Sequence, residues 1–177
     1  MRVEWLLLIV SLLAAMPARA ALATRFEADF DEEIKSWKEI QAQLPSYPQS
    51  KDLVLMEGGR AGSHNFYVDT ASISLGEDGV TRYAAVLKAS GGATNVSFEG
   101  IRCETREHKL YAMGHANGTW ARARNPKWER MTSYTKPYQW MLYREFFCPT
   151  PKRPTPPKQA ADALKRGVGL AQTPVTD

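Results

Sequence analysis

The sequence predicts an α+β fold: an antiparallel meander sheet of four to six strands, packed by an N-terminal and a C-terminal helix and tied by one disulfide. Three observations lead there. A capping pattern followed by apolar residues at helical spacing lies ahead of the strands. Between Asn65 and Ala123, short runs rich in aromatic and β-branched residues are separated by turns containing Gly and Asn. The two cysteines, Cys103 and Cys148, fall late in one of those runs and at the end of a second helical run.

The chain opens with a segment unlike the rest. Arg2 and Glu4 precede an apolar run of roughly 12 residues, Trp5 to Met16, which is followed by Pro17-Ala18-Arg19-Ala20. A charged start, a short apolar stretch and an A-x-A site are the marks of a secretory signal, cut after about Ala20. A membrane-spanning helix needs about 20 apolar residues, so no anchor is expected after cleavage. The expected domains are therefore a signal peptide over 1–20, one α+β domain over 26–149, and a Pro-rich, then polar, mobile tail over 150–177.

The segment carries two of the 23 basic and one of the 19 acidic residues, so its removal takes the formal charge from +4 to +3. That balance does not point to nucleic acid. Export also brings Cys103 and Cys148 into an oxidising compartment, where two thiols in a small domain pair. Closing that loop of about 45 residues stabilises by up to about 4 kcal/mol in the chain-entropy model.

Each element has its own warrant. Asp29 and Glu32 form a capping box, and Phe30, Ile34, Trp37, Ile40 and Leu44 follow on one stripe until Pro45 and Pro48 end the helix. Lys51 to Ser63, centred on Gly58-Gly59-Arg60-Ala61-Gly62, reads as an irregular loop without the lysine order of a phosphate cradle. Strands follow at Phe66-Tyr67-Val68, Ser72 to Leu75, Val80 to Lys88, Val96 to Cys103, Lys109 to Ala116 and Thr119 to Ala123. Short turns at 76–79, at 90–92 and at Asn117-Gly118 join them, and short turns force antiparallel pairing. Asn117-Gly118 suits a type I′ turn, whose two central residues both need positive φ. Asp69 is placed to cap a local turn at Thr70-Ala71-Ser72. A second helix fits Lys136 to Phe147, its apolar residues wrapping much of the circumference, with Pro149 as its stop. In the tail, at most one helical turn is expected, around Ala160 to Lys165.

No catalytic, cofactor-binding or metal-binding residue is assigned. His64, His108 and His115 are scattered, without the close ligand spacing of a zinc site. Ser63 and His64 are adjacent, and neighbours on extended chain point apart. The carboxylates Asp69, Glu99, Glu104 and Glu107 could serve glycoside hydrolysis only as a pair at a defined separation, which a sequence does not measure. The strongest surface feature is the stretch from Thr119 to Arg130. Trp120, Arg122 and Arg124 share one strand face, Trp128 lies just beyond, and guanidinium groups beside tryptophan can hold sugars, anions or acidic partners. Against that stands an ordinary solvated strand with one tryptophan covering the core.

Several segments together resemble a known family: Trp37-Lys38-Glu39-Ile40, Gln43-Leu44-Pro45, Phe66-Tyr67-Val68-Asp69, Asn95 to Cys103, Gly118-Thr119-Trp120 and Arg144 to Pro149. In this order, over roughly Phe26 to Pro149, they are similar to the CNP-one-like family of exported proteobacterial proteins. The resemblance implies a signal-bearing, envelope-associated protein and brings no activity, cofactor or catalytic residue with it. A fainter similarity is to the surface-adhesin protein E fold, an antiparallel sheet packed by helices, whose binding role transfers only as analogy. The leading expectation is a non-enzymatic binding or interaction module of the periplasm or cell envelope, its partner an envelope protein or an acidic envelope glycan. The alternative is a small envelope hydrolase using carboxylates or His64, which would show a concave site holding titratable groups with displaced pKa values.

Overall fold

Four consecutive hairpins build the sheet. The computed structural model describes residues 37–56, 64–150 and 153–170. The chain divides into two units, Met1–Trp37 and Lys38–Asp177, and every helix and strand within the described residues belongs to the second. The strands are β1 (Leu53–Leu55), β2 (His64–Leu75), β3 (Val80–Ala89), β4 (Thr94–Arg102), β5 (Glu107–Gly114), β6 (Trp120–Arg122) and β7 (Glu129–Arg130). They pair antiparallel in the order β1 to β6, and β7 pairs with β5. The meander is thus as expected, with two short strands added at its margins.

Three hairpins close in the same way. Gly79, Gly92 and Gly118 donate their N–H groups to the carbonyls of Gly76, Ala89 and His115, and each takes a left-handed φ of 74°, 87° and 81°. Asn117 does not share that conformation, so the type I′ turn expected at Asn117-Gly118 is not formed. The Asn117 side chain instead accepts from the Thr119 N–H and hydroxyl at 3.2 and 2.7 Å, which holds it in the turn with Gly118 alone left-handed. The remaining hairpin, between β4 and β5, places exposed Arg106 at φ 58°, where a Cβ is disfavoured. Arg106→Gly is expected to stabilise the domain by about 0.5–1 kcal/mol, read as a higher urea midpoint; a lower midpoint would show that the arginine contributes more than its conformation costs.

The register gives the sheet two faces. Tyr83↔Glu99 and Ala85↔Ser97 put those four residues on one face, together with Phe66, Val68 and Ile101. Helix α1 (Pro137–Leu142) covers this face, and one π-helical turn, Tyr143–Phe147, continues it. Leu142, Phe147, Phe66, Val68, Tyr83 and Ile101 form the main core there. The Tyr83 and Phe147 rings lie 5.1 Å apart. The helix expected at Lys136 to Phe147 is therefore present and deeply buried. Its wider last turn, closed by the Cys148 N–H on the Tyr143 carbonyl at 2.8 Å, brings Cys148 to Cys103 at the end of β4.

The opposite face carries Phe98, Tyr111, Ala112 and Trp120, and Ala42 and Leu44 pack on it. A bulge in β5, opposite Phe98 and Glu99, turns Tyr111 onto this face beside Ala112. The Tyr111 ring then lies over Gly100, where a Cβ would come within 2.7 Å of it. Gly100→Ala is expected to displace that ring and cost about 1–3 kcal/mol in urea unfolding. An unchanged midpoint would mean that the ring moves aside freely.

Sequence expectations about two helices are corrected as well. The N-terminal helix expected from Asp29 to Leu44 is absent from its described part: residues 37–49 are not helical, and the capping box at Asp29 and Glu32 lies outside the described residues. The reason lies in the partners of its backbone. The carbonyls of Ile40, Ala42 and Pro45 accept from Arg82 at 3.3 Å, Arg122 at 3.4 Å and the Trp120 indole at 2.9 Å, and the Ile40 N–H donates to Asp78 at 3.0 Å. Sheet side chains thus satisfy groups that a helix would have paired internally, and the segment lies on the sheet as a strap.

The second correction concerns the tail. Pro157–Arg166 is a full helix, α2, against β2, and Ala160, Ala163 and Leu164 are buried in the main core. The Thr155 N–H donates to the Phe147 carbonyl at 2.7 Å and ties the approach to α2 down. The segment at 51–63, read as irregular, includes a 3-10 turn at Ser50–Asp52 and strand β1, while the glycine-rich stretch at 58–62 lies outside the described residues.

Candidate functional site

Between α1 and the helix-covered face of the sheet lies a cleft of about 420 Å³. Phe66, Leu87, Leu110, Met113 and Tyr138 give it apolar walls, and Glu99 lies among its lining residues. Phe66 and Tyr138 are stacked, with centroids 4.4 Å apart. Met113 is 40 % exposed and Glu99 6 %, so the cleft runs from open apolar surface to a buried carboxylate.

Alternation along β4 accounts for the carboxylate. Glu99 is two residues from Ser97 and two from the fully buried Ile101, so all three share the covered face. Four side chains then converge on it. The Tyr83 hydroxyl donates to Glu99 Oε2 at 2.8 Å and the Gln139 amide nitrogen at 3.0 Å, while His108 Nε2 lies 2.9 Å from the same oxygen. The Ser97 hydroxyl donates to Oε1 at 2.6 Å. Burial by itself would raise the pKa of Glu99, but the bonds from His108, Ser97 and Gln139 and the field of His108 outweigh it and hold the value at about 2. Burial and the neighbouring carboxylate push the Tyr83 hydroxyl far above the usual phenol range. His108 Nδ1 is buried and has no hydrogen-bond partner among the described residues.

The strap face has a second carboxylate cluster with a structural role. Glu39 accepts from Lys109 at 2.6 Å, Tyr111 at 2.7 Å and Trp128 at 3.2 Å. Desolvation opposes its charge, yet these donors lower its pKa. Asp78 accepts from Arg82 at 2.6 Å as well as from Ile40, and its pKa is likewise lowered against desolvation. These two carboxylates hold residues 39–40 on the sheet.

The residues singled out in the sequence fall in different places. Cys103 and Cys148 are joined, with Cα atoms 5.5 Å apart. Trp120 and Arg122 do share a face, but both donate to strap carbonyls, and Trp128 donates to strap residue Glu39. Arg124 is exposed and forms no side-chain hydrogen bond or ion pair among the described residues. Asp69 caps its local turn as expected, accepting from the Ala71 N–H at 3.0 Å, and burial raises its pKa. Glu104 pairs with Arg102 at 2.9 Å, and His64 opens β2 opposite Ala89. Glu99 alone of the four named carboxylates lines the cleft. Its partners Tyr83, Ser97, His108 and Gln139 carried no motif, and only the two-residue spacing of Glu99 from Ile101 signalled that it faces the core.

The model of the CNP1-like family matches residues 32–165. The chain belongs to that family. Its match ends inside α2, so the CNP1-like region includes the buried part of the helix that the sequence reading left in the tail. No curated protein and no solved structure gives a match. Among the described residues no helix is long and apolar enough to cross a membrane, and no group of three or more His, Cys, Asp or Glu side chains is arranged to hold a metal ion.

Proposed function

We propose that this CNP1-like domain is an exported, non-enzymatic binding module whose ligand sits in the cleft between α1 and the sheet. The observation that carries the reading is Glu99: a buried carboxylate, held by four side chains, at an apolar-walled cleft. Burying a charge is costly even when it is paired, and a cleft with a few fixed polar groups is the usual form of a small-molecule site. The patch at Trp120, Arg122, Arg124 and Trp128 is the weaker candidate, because three of its four side chains are engaged with the strap.

A hydrolase reading draws on the same Glu99–His108 pair and on His108 Nδ1, left without a partner. Among the described residues, however, no hydroxyl or thiol is bonded to that nitrogen. A carboxylate with a pKa of about 2 is a poor general base near neutral pH, and the Ser97 hydroxyl already directs its proton at that carboxylate. Lys136, at the cleft, pairs with Glu129 at 3.2 Å.

Export is supported by the signal-like segment and by the disulfide. Sequencing the N-terminus of protein from a periplasmic extract should read from about Ala21; intact protein confined to the cytoplasm would refute export. The cleft is tested by following the Met113 methyl resonance while 2-phenylethanol, a neutral aromatic probe, is added. A saturable shift at Met113 with no change at Leu44 on the opposite face is expected, with a Kd on the order of 1 mM. Equal shifts at both, or none at Met113, would remove the cleft as a site.

A further inference from the structure

The polar groups at the cleft are unevenly satisfied. Among the described residues, Glu99 Oε2 takes three partners and Oε1 takes the Ser97 hydroxyl alone, and a carboxylate oxygen can accept two. Gln139 spends its amide nitrogen on Glu99, and its carbonyl oxygen has no hydrogen bond among the described residues. Gln139 and Ser97 are half-buried and line the cleft, so both border the space a ligand would enter. Acceptor capacity is thus left at Glu99 Oε1 and at the Gln139 carbonyl oxygen.

The charge balance has the same sense. Lys136, the one lysine or arginine among the described lining residues, pairs with Glu129 at 3.2 Å. His108 directs Nε2 at Glu99, and its Nδ1 is buried without a hydrogen-bond partner among the described residues. Glu99 is the one carboxylate among the described lining residues, and Phe66, Leu87, Leu110, Met113 and Tyr138 line the same cleft.

Resting on the cleft reading above, we infer that the ligand is an organic ammonium ion on an apolar, planar body, its N–H groups donating to Glu99 Oε1 and the Gln139 carbonyl oxygen. An ammonium group supplies up to three donors and no acceptor, and charge-assisted bonds to a partly desolvated carboxylate are about twice as strong as neutral ones. The walls match an aromatic or branched aliphatic body. A carboxylate or phosphate ligand would face the like charge of Glu99.

The test uses the purified protein and three probes with one body: 2-phenylethylamine, 2-phenylethanol and phenylacetate, each followed at the Met113 methyl. The amine should bind at least tenfold more tightly than the alcohol, and phenylacetate should not saturate. Glu99→Gln should weaken the amine about tenfold; the wild-type comparison stands whether or not that variant folds. If the alcohol binds as tightly as the amine, or phenylacetate binds more tightly than either, the ammonium inference fails while the cleft remains a site. If none of the three shifts Met113, the inference and the cleft reading fall together.

Discussion

Glu99→Ala is expected to destabilise the domain by about 3–5 kcal/mol, because it leaves the donors of Tyr83, His108 and Gln139 in a buried space without their acceptor. Glu99→Gln should cost less, about 1–2 kcal/mol. Its carbonyl oxygen can keep the three donors on the Oε2 side, while its amide nitrogen donates to the Ser97 hydroxyl. The pair of variants separates hydrogen bonding from charge, and pH separates them further. Glu99 has a folded-state pKa of about 2, below the ordinary glutamate value. A depressed carboxylate stabilises the fold above its unfolded pKa and loses that contribution as pH falls through the folded value. The window therefore runs from about pH 4.5 down to 2, and the amount is on the order of 3 kcal/mol. Glu39 and Asp78, also lowered, add to the acid sensitivity. Asp69, raised by burial, acts in the opposite sense: its contribution is present at low pH and is lost as pH rises through its folded pKa. Urea midpoints recorded between pH 2 and 7 should show a steep loss in the wild type and a shallower one in Glu99→Gln. Parallel curves would mean that Glu99 is not ionised in the fold.

Removing the disulfide by Cys103→Ala with Cys148→Ala is expected to cost up to about 4 kcal/mol, since the two residues close a loop of 45 positions. That loop contains β5, β6, β7 and α1, so it carries His108 as well as Tyr138 and Gln139 from the helix side of the cleft. Leu142 and Phe147 are fully buried, which should keep α1 on the sheet after the bond is lost. The double variant should therefore fold, with a lower urea midpoint than the oxidised wild type, and the wild type in reductant should behave like the variant. A midpoint unchanged by both treatments would show that helix packing alone closes this end of the domain.

Local sequence signals were sufficient for much of this architecture. Alternation and turn residues located the meander from β2 to β6, and the apolar run from Tyr138 to Phe147 located the second helix. The pattern at α2 was legible too: Pro157 begins the helix, Ala160, Ala163 and Leu164 recur on one face, and Gly167 follows its last turn in left-handed conformation. What misled there was the preceding proline-rich stretch, read as the end of the domain. The stripe at Ile34, Trp37, Ile40 and Leu44 misled in the other direction, because periodicity reports which side chains could share a helical face and says nothing about competing partners for the backbone.

By itself, then, the sequence determined the antiparallel order, the hairpin positions, the helix that ends at Cys148 and the family, each of which depends on residues close in the chain or on a pattern spread along it. Tertiary structure alone decided that residues 38–45 form a strap, that Trp120, Arg122 and Trp128 hold it, and that Glu99 lies buried in a cleft among Tyr83, Ser97, His108 and Gln139. Gln139 is 40 positions from Glu99, and Trp120 is 75 from the carbonyl it bonds. The physical reason is common to all of them: a side chain's partner, and with it the burial and charge state of a carboxylate, is set by whatever packing brings within about 3 Å, and no local pattern records that distance.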